Sequence, residues 1–244
     1  MLALIDGDLI AYRCAASCEN EEFDVAVLRA KGLLDDILLK VNATEYRLFL
    51  GGRTNFRKSI YPEYKGNRKV QDKPKWLNQL IDYLIKTEGG ERSPDGLESD
   101  DMMAMLQTDK TIICSLDKDM LQVAGRHFQW AISGANWQKP DIFYNQSEIE
   151  GLRLFYEQCL KGDTSDNIKG VAKIGKVGAK NLLANCQTEQ EMFDIVVSAY
   201  GNDDEFLMNA QCLWLLRSME DSYLNRYQGL LHETDNTSNH DDRV

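Results

Sequence analysis

The chain has 244 residues, with 39 Asp and Glu against 28 Lys and Arg, a formal net charge of −11. At 43% hydrophobic and 9% aromatic content it is long and apolar enough for one large domain or two small ones and is not disordered as a whole. An acidic balance argues against a nucleic-acid partner if the acids are evenly spread. No apolar run approaches membrane-spanning length, and Met1 to Ile5 is too short and lacks the basic flank of a signal peptide, so a cytoplasmic protein is expected.

Leu2 to Ile5 reads as a buried strand ending at Asp6. Asp24 to Val41 carries helical spacing, and Tyr46 to Leu50 reads as a second strand stopped by Gly51-Gly52. Pro74 can open a helix whose stripe is Leu77, Leu80, Ile81, Leu84 and Ile85. A short helix from about Glu98 to Gln107 precedes a third strand, Thr111 to Leu116, and His127 to Ile132 reads as a fourth. Alternating strands and helices predict an α/β core, a mostly parallel sheet flanked by helices, with sites beyond the carboxyl ends of its strands. From about Ser147 the pattern is helical, with a helix expected over Asp203 to Met219 and Leu207, Leu213, Trp214, Leu215 and Leu216 in the core. His232 to Val244 is polar and expected to fray. The six cysteines are scattered without CxxC or zinc spacing and read as reduced core residues.

The acids are clustered at element ends: Asp6 and Asp8; Glu98, Asp100 and Asp101; Asp117 and Asp119; Asp163 and Asp166. Glu98 and Asp101 share a face at a helix start. Asp117 and Asp119 are expected to point the same way from an extended strand end. Gathered carboxylates repel unless a cation neutralises them, and hard cations such as Mg²⁺ or Mn²⁺ take oxygen ligands. Two such ions stabilise both the attacking and the leaving oxygen of a phosphodiester displacement.

Residues 53–75 carry eight Lys and Arg against Glu63 and Asp72, a net +6, interleaved with Phe56, Tyr61 and Tyr64 and flanked by Trp76. Residues 161–180 carry +3 around the glycines Gly170, Gly175 and Gly178. The remainder is therefore at −20. Lys and Arg neutralise phosphates, aromatic faces stack on unpaired bases, and glycine lets backbone approach a phosphate. The acidic balance is compatible with DNA meeting two basic strips.

Taken together, LIDGD (Leu4–Asp8), PEYKGNRK (Pro62–Lys69), ESDDMMA (Glu98–Ala104), SLDKDMLQV (Ser115–Val123) and GDTSDNIKGVAKIGKVGAKNLL (Gly162–Leu183) resemble, in order, the motifs of the flap endonuclease and 5′→3′ exonuclease superfamily, closest to its bacteriophage branch. The resemblance implies a PIN-like nuclease core over residues 1–160 with a basic arch at about 53–75, a helical helix–hairpin–helix subdomain over 161–231, and a flexible tail over 232–244. It implies a two-metal nuclease using Mg²⁺ or Mn²⁺ at 5′ ends, nicks or flaps of DNA, with RNA–DNA hybrids as a further substrate. Asp6, Glu98, Asp100 and Asp101 look like the first metal group, and Asp117, Asp119, Asp163 and Asp166 like the second. Lys65 and Arg68 look like the residues that stabilise charge on the scissile phosphate. Arg57, Lys58, Tyr64 and Lys69 resemble the family's arch, which steers the 5′ strand. Gly170, Lys173, Gly175, Lys176, Gly178 and Lys180 resemble its duplex-gripping element, which often binds K⁺. A monomer without membrane contact is expected.

One position departs from the family pattern. Leu50-Gly51-Gly52 stands where the family usually carries LGD, so a first-site carboxylate is missing at Gly52. Either Asp8 compensates or the first site is weaker, and a Gly52→Asp change is expected to tighten metal binding. Two rivals come from other classes. Asp6-Gly7-Asp8 and Gly162 to Asp166 imitate motifs of haloacid-dehalogenase phosphatases, but Ile10 stands where that class prefers Thr or Val and the basic window has no role there. The second is a DNA-binding relative that has lost activity.

Overall fold

A computed structural model describes residues 1–67, 73–134 and 136–238, with side chains to 232. In chain order its elements are β1 (Leu2–Asp6), α1 (Gly7–Ala16), α2 (Phe23–Val41), β2 (Glu45–Leu50), α3 (Arg57–Ile60), α4 (Leu77–Thr87), β3 (Glu91–Arg92), α5 (Ser99–Leu106), β4 (Thr111–Cys114), a 3₁₀ turn (Lys118–Gln122), β5 (Gly125–Gln129), β6 (Ile132–Gly134), β7 (Trp137–Lys139), β8 (Ile142–Gln146), α6 (Glu148–Lys161), β9 (Gly162–Asp163), β10 (Ile168–Lys169), α7 (Lys176–Leu183), α8 (Glu189–Tyr200), α9 (Asp203–Leu213) and α10 (Tyr223–Ser238). The chain packs into two compact units, Met1–Asn55 with Val70–Ser147, and Phe56–Lys69 with Glu148–Val244. The basic segment expected within the core domain therefore lies largely with the second unit, and so does all of α6.

The first unit is a six-stranded sheet in the order β3-β2-β1-β4-β5-β8. β1 to β5 pair in parallel, and β8 closes the edge antiparallel to β5. Central β1 and β4 are buried along almost their whole length, as expected of strands covered on both faces. Ala3 and Ile5, Leu48 and Leu50, and Cys114 and Phe128 meet Ala26, Ala30, Leu34 and Ile37 of α2 in one core with α1 and α4. The α1 helix has no apolar stripe strong enough to be read from sequence; it starts because the Asp6 side chain caps it, accepting the Leu9 N–H at 3.0 Å. The register places Asp6 at the last position of β1, beside Phe49, with Gly51 just past β2 and Ser115 just past β4.

The second unit is helical. Phe155 packs edge-on to Trp214 and Tyr156, each at a ring-centroid distance of 4.9 Å. Trp214, Leu215 and Leu216 are buried, as their apolarity suggested. The α9 helix ends at Leu213 rather than continuing to Met219, because Asp221 accepts from Trp214 Nε1 and from the Arg217 N–H and turns the chain. Helix α10 runs on to Ser238, so part of the tail expected to fray is helical; residues 239–244 lie outside the described residues. Helices α6 and α7 flank the β9–β10 hairpin, and within Gly170 to Lys180 only the start of α7 is helical. All six cysteines are free and buried, and no helix among the described residues is long and apolar enough to cross a membrane.

Candidate functional site

Parallel pairing of β1 with β4 brings their carboxyl ends together, and the serine after β4 joins the acids there. Ser115 Oγ donates to Asp6 Oδ2 at 2.7 Å and accepts the Asp117 N–H at 3.0 Å. Asp117 does not lie on an extended strand end with Asp119. The strand stops at Cys114, and Asp117 caps the 3₁₀ turn by accepting the Asp119 N–H at 2.8 Å. The two side chains are thus related by a turn, not by the two-residue alternation of a strand.

At the start of α5, Glu98 is the N-cap and Asp101 sits at the third helical position, accepting the Glu98 N–H at 3.1 Å in a capping box. Asp101 is fully buried, whereas Asp100 beside it is half-buried. Asp8, in the first turn of α1, accepts through Oδ2 from the Gly51 N–H at 2.8 Å and from Ser99 Oγ at 3.0 Å. Ser99 and Ser115 were not singled out in the sequence. Their signal was adjacency, one inside the ESDD run and one opening SLDKD.

Burial pushes the Asp6 carboxyl up to about 7, and the charges of Asp8 and Asp117 add to the rise against the hydrogen bonds from Ser115 and Leu9. Burial also raises Asp8, with Glu98 adding to it and Arg92 opposing. As placed, no three carboxylate, thiol or imidazole groups among the described residues converge closely enough to hold an ion by themselves. The chemistry of the donors nevertheless fits a hard divalent cation: every candidate is an oxygen, neighbouring acids add to the burial that raises Asp6 and Asp8, and such a cation keeps several waters as further ligands. Asp6 is only 3% exposed and both its oxygens accept hydrogen bonds. That is the wrong presentation for the nucleophilic aspartate of a haloacid-dehalogenase phosphatase, which must reach a phosphorus atom.

The second unit holds the other two acids. Asp163 accepts the Ser165 N–H at 2.8 Å. Asp166 accepts from the Tyr64 hydroxyl at 2.9 Å, and Lys65 Nζ lies 3.9 Å from its other oxygen. The 63–67 segment is pinned there by the backbone as well: the Lys65 N–H donates to Asp166 O, Asn67 Nδ2 to Thr164 O, and Asn167 Nδ2 to Glu63 O. Lys65 takes a left-handed backbone, φ 56°, to make this turn.

Four sequence expectations change. Arg57 is not a surface cation: it is 1% exposed and its guanidinium donates to the carbonyls of Cys212 and Trp214, at 2.9 and 2.7 Å. The Tyr64 ring is 2% exposed, so its face is covered and not open for stacking on a base. Gly170 is glycine for packing rather than for phosphate approach, because a Cβ there would stand 2.3 Å from Gly162 N. Gly52→Asp has no room either: a Cβ at Gly52 would meet the carbonyl oxygens of Leu97 and Pro94 at 2.7 and 2.8 Å. The change should disrupt the site rather than tighten it. By contrast Lys58, Lys173, Lys176 and Lys180 are exposed, and a Cβ at Gly175 would meet nothing within 4 Å. Arg68 and Lys69 lie outside the described residues.

A family model described as the 5′-3′ exonuclease N-terminal resolvase-like domain matches residues 1–150, the segment that holds Asp6, Glu98 and Asp117. The chain belongs to the 5′-3′ exonuclease family. A 5′-3′ exonuclease of Mycoplasmopsis pulmonis is 31% identical over 157 residues, 59% of this chain and 51% of its own length. A DNA polymerase I of Streptococcus pneumoniae is 29% identical over 218 residues, 77% of this chain and 24% of its own. This exonuclease-family chain thus spans about half of the first relative and about a quarter of the second. Its fold is shared with the T5 5′-exonuclease with zinc ions bound, at a TM-score of 0.64 and 17% identity, covering 87% of this chain and 88% of the other. A complex of the bacteriophage T5 flap endonuclease with DNA and metal ions matches over the same shares at a TM-score of 0.62 and 18% identity.

Proposed function

We propose that this chain is a divalent-metal-dependent 5′→3′ exonuclease and 5′-flap endonuclease that hydrolyses DNA phosphodiesters in phage DNA replication or processing. The observation that carries the reading is the Ser115 hydroxyl, which joins the Asp6 carboxylate to the backbone N–H of Asp117 at the carboxyl ends of two neighbouring parallel strands, inside the segment matched by the family. The relatives' names and the metal- and DNA-bound T5 structures support it.

In this reading the ligands are Asp6, Glu98, Asp100 and Asp101 for one Mg²⁺ or Mn²⁺, and Asp117, Asp119, Asp163 and Asp166 for a second, some acting through water. When bound, the ions would neutralise phosphate charge and make water a competent nucleophile at neutral pH. The chain's own contribution is orientation and charge. Ser115 holds the Asp6 carboxylate in fixed relation to the Asp117 backbone. Lys65, pinned beside Asp166, and Arg68 offset the charge that develops on the scissile phosphate. Lys58 and Lys69 steer the incoming strand. Gly175, whose lack of a capping side chain leaves the first N–H groups of α7 available, acts with Lys173, Lys176, Gly178 and Lys180 on the duplex backbone, and the main-chain carbonyls of this turn can hold K⁺. By this assignment the catalytic domain and the duplex-gripping domain meet the substrate as a monomer.

The test is product-length analysis in Mg²⁺ on 5′-end-labelled duplex, nicked, flapped and RNA-primed substrates, with Asp117→Asn and Asp119→Asn beside the native chain. Cleavage should fall to background in both variants, and undiminished cleavage would sink the assignment. Flap binding by the native chain without cleavage in either Mg²⁺ or Mn²⁺ would select the DNA-binding relative that has lost activity.

A further inference from the structure

Two turns of the second unit, residues 63–67 and 164–167, are joined by a reciprocal pair of asparagines. The Glu63 carbonyl closes its own turn by accepting the Gly66 N–H at 2.7 Å and also accepts from Asn167 Nδ2 of the other turn at 3.0 Å. The Thr164 carbonyl closes the second turn by accepting the Asn167 N–H at 3.4 Å and also accepts from Asn67 Nδ2 at 2.6 Å. Each carbonyl thus uses both lone pairs, one within its turn and one across. Between these bonds the Lys65 N–H donates to Asp166 O at 2.9 Å.

Each turn holds one residue in the left-handed region, Lys65 at φ 56° and Asn167 at φ 61°. Asparagine tolerates that backbone, whereas lysine meets a steric penalty there that glycine would avoid. A long side chain at the costly position points to a use for that side chain. Its ammonium lies 3.9 Å from Asp166 Oδ1 and 4.9 Å from the centre of the Tyr64 ring, whose hydroxyl donates to Asp166 Oδ2. The lysine of one turn and the acid of the other are therefore set against each other by the bonds that join the turns.

Those bonds do not belong to the core. Glu63, Asn67 and Thr164 are exposed, and the segment is already fastened into the second unit by buried Arg57 and Tyr64. What the asparagines add is the register between the two turns.

We propose that Asn67 and Asn167 are positioning residues for phosphodiester cleavage, which act by holding the Lys65 ammonium in register with Asp166. The inference rests on the role given to Lys65 above and adds the two residues that set its place.

The test is single-turnover cleavage of a 5′-flap substrate in Mg²⁺ by the full-length chain, with flap affinity measured separately in EDTA. Asn67→Ala removes one donor. Asn167→Gly removes the other and keeps the left-handed backbone accessible. Each should lower the cleavage rate about tenfold while flap affinity stays within about twofold of native. The same changes are then made in a Lys65→Ala chain. A residue that acts through Lys65 has nothing left to position there, so the further loss should be under about twofold. A further loss as large as in the native chain would assign the asparagines to general integrity of the site and overturn the proposal. Native rates in both asparagine variants, with Lys65→Ala impaired, would overturn it and leave the role of Lys65 standing. A native rate in Lys65→Ala would overturn that role itself. An asparagine variant that is unfolded at the assay temperature would make the pair an anchor of the fold and overturn the proposal as well.

Discussion

The acidic corner of the first unit and the Asp166 turn of the second both hold buried carboxylates, with different donors. Around Asp6 and Asp8 the hydrogen bonds come from hydroxyls and backbone amides: Ser115, Leu9, Ser99 and Gly51. Around Asp166 they come from Tyr64, with the ammonium of Lys65 at 3.9 Å. Neutral donors fix geometry, and the protein cation near the first corner, Arg92, bonds the Gly51 carbonyl at 3.1 Å and opposes the rise of Asp8 only in part. The second carries the Lys65 ammonium beside its acid. The same contrast holds for buried charge in general. Arg57 is matched by two carbonyls, whereas Asp6 is raised to about 7 by burial and by its acidic neighbours.

That contrast can be broken by removing one charge from each side. Arg57→Ala leaves the Cys212 and Trp214 carbonyls buried without their donor, at about 1–3 kcal/mol each. Urea unfolding of the metal-free chain should show this as the largest loss of stability. A native unfolding midpoint accompanied by weakened DNA binding would return Arg57 to the DNA surface. Asp6→Asn should act in the opposite direction. The folded value of Asp6, about 7, lies above its ordinary 3.8, so the fold binds this proton more tightly than the unfolded chain does. Its contribution to stability is therefore fully present below pH 3.8 and lost as pH rises through 7. In EDTA, the native chain should lose stability relative to Asp6→Asn between pH 4 and pH 8, and Mg²⁺ should restore the native chain selectively at pH 8. Parallel pH profiles for the two proteins would remove the raised, buried Asp6 carboxyl from the account. The smallest effect belongs to Tyr64→Phe, which deletes one hydrogen bond to Asp166 and should cost about 1 kcal/mol. It should also lower flap cleavage more than duplex binding, because Lys65 loses a fixed partner. Equal losses in both would assign Tyr64 to packing alone.

Much of the first unit was legible in sequence because its signals are local. The apolar run of Leu2 to Ile5 ending in Asp6, the stripe of α4 and the Thr111 strand each lie within one element, and each formed close to the expected bounds. The acids at strand ends were legible for the same reason, since a parallel sheet brings the carboxyl ends of its strands to one side. Where two local signals competed, the shorter-range one won: Asp117 capped a turn two residues on rather than extending β4, and Asp221 turned the chain after Trp214. The antiparallel edge strand β8 and the capped helix α1 lacked a periodic signal and were missed.

The sequence by itself determined the family, the alternation of the main strands and helices of the first unit, and which acids and bases are available, because motif spacing and periodicity are properties of neighbouring residues. Only the tertiary structure decided which charges face solvent. Arg57 meets partners 155 and 157 residues away, Tyr64 is covered beside an acid 102 residues on, and Gly52 lies under a backbone loop 41 to 45 positions further along. A count of charges in a window is blind to such partners, because burial and hydrogen bonding are set by which distant segments the fold brings together.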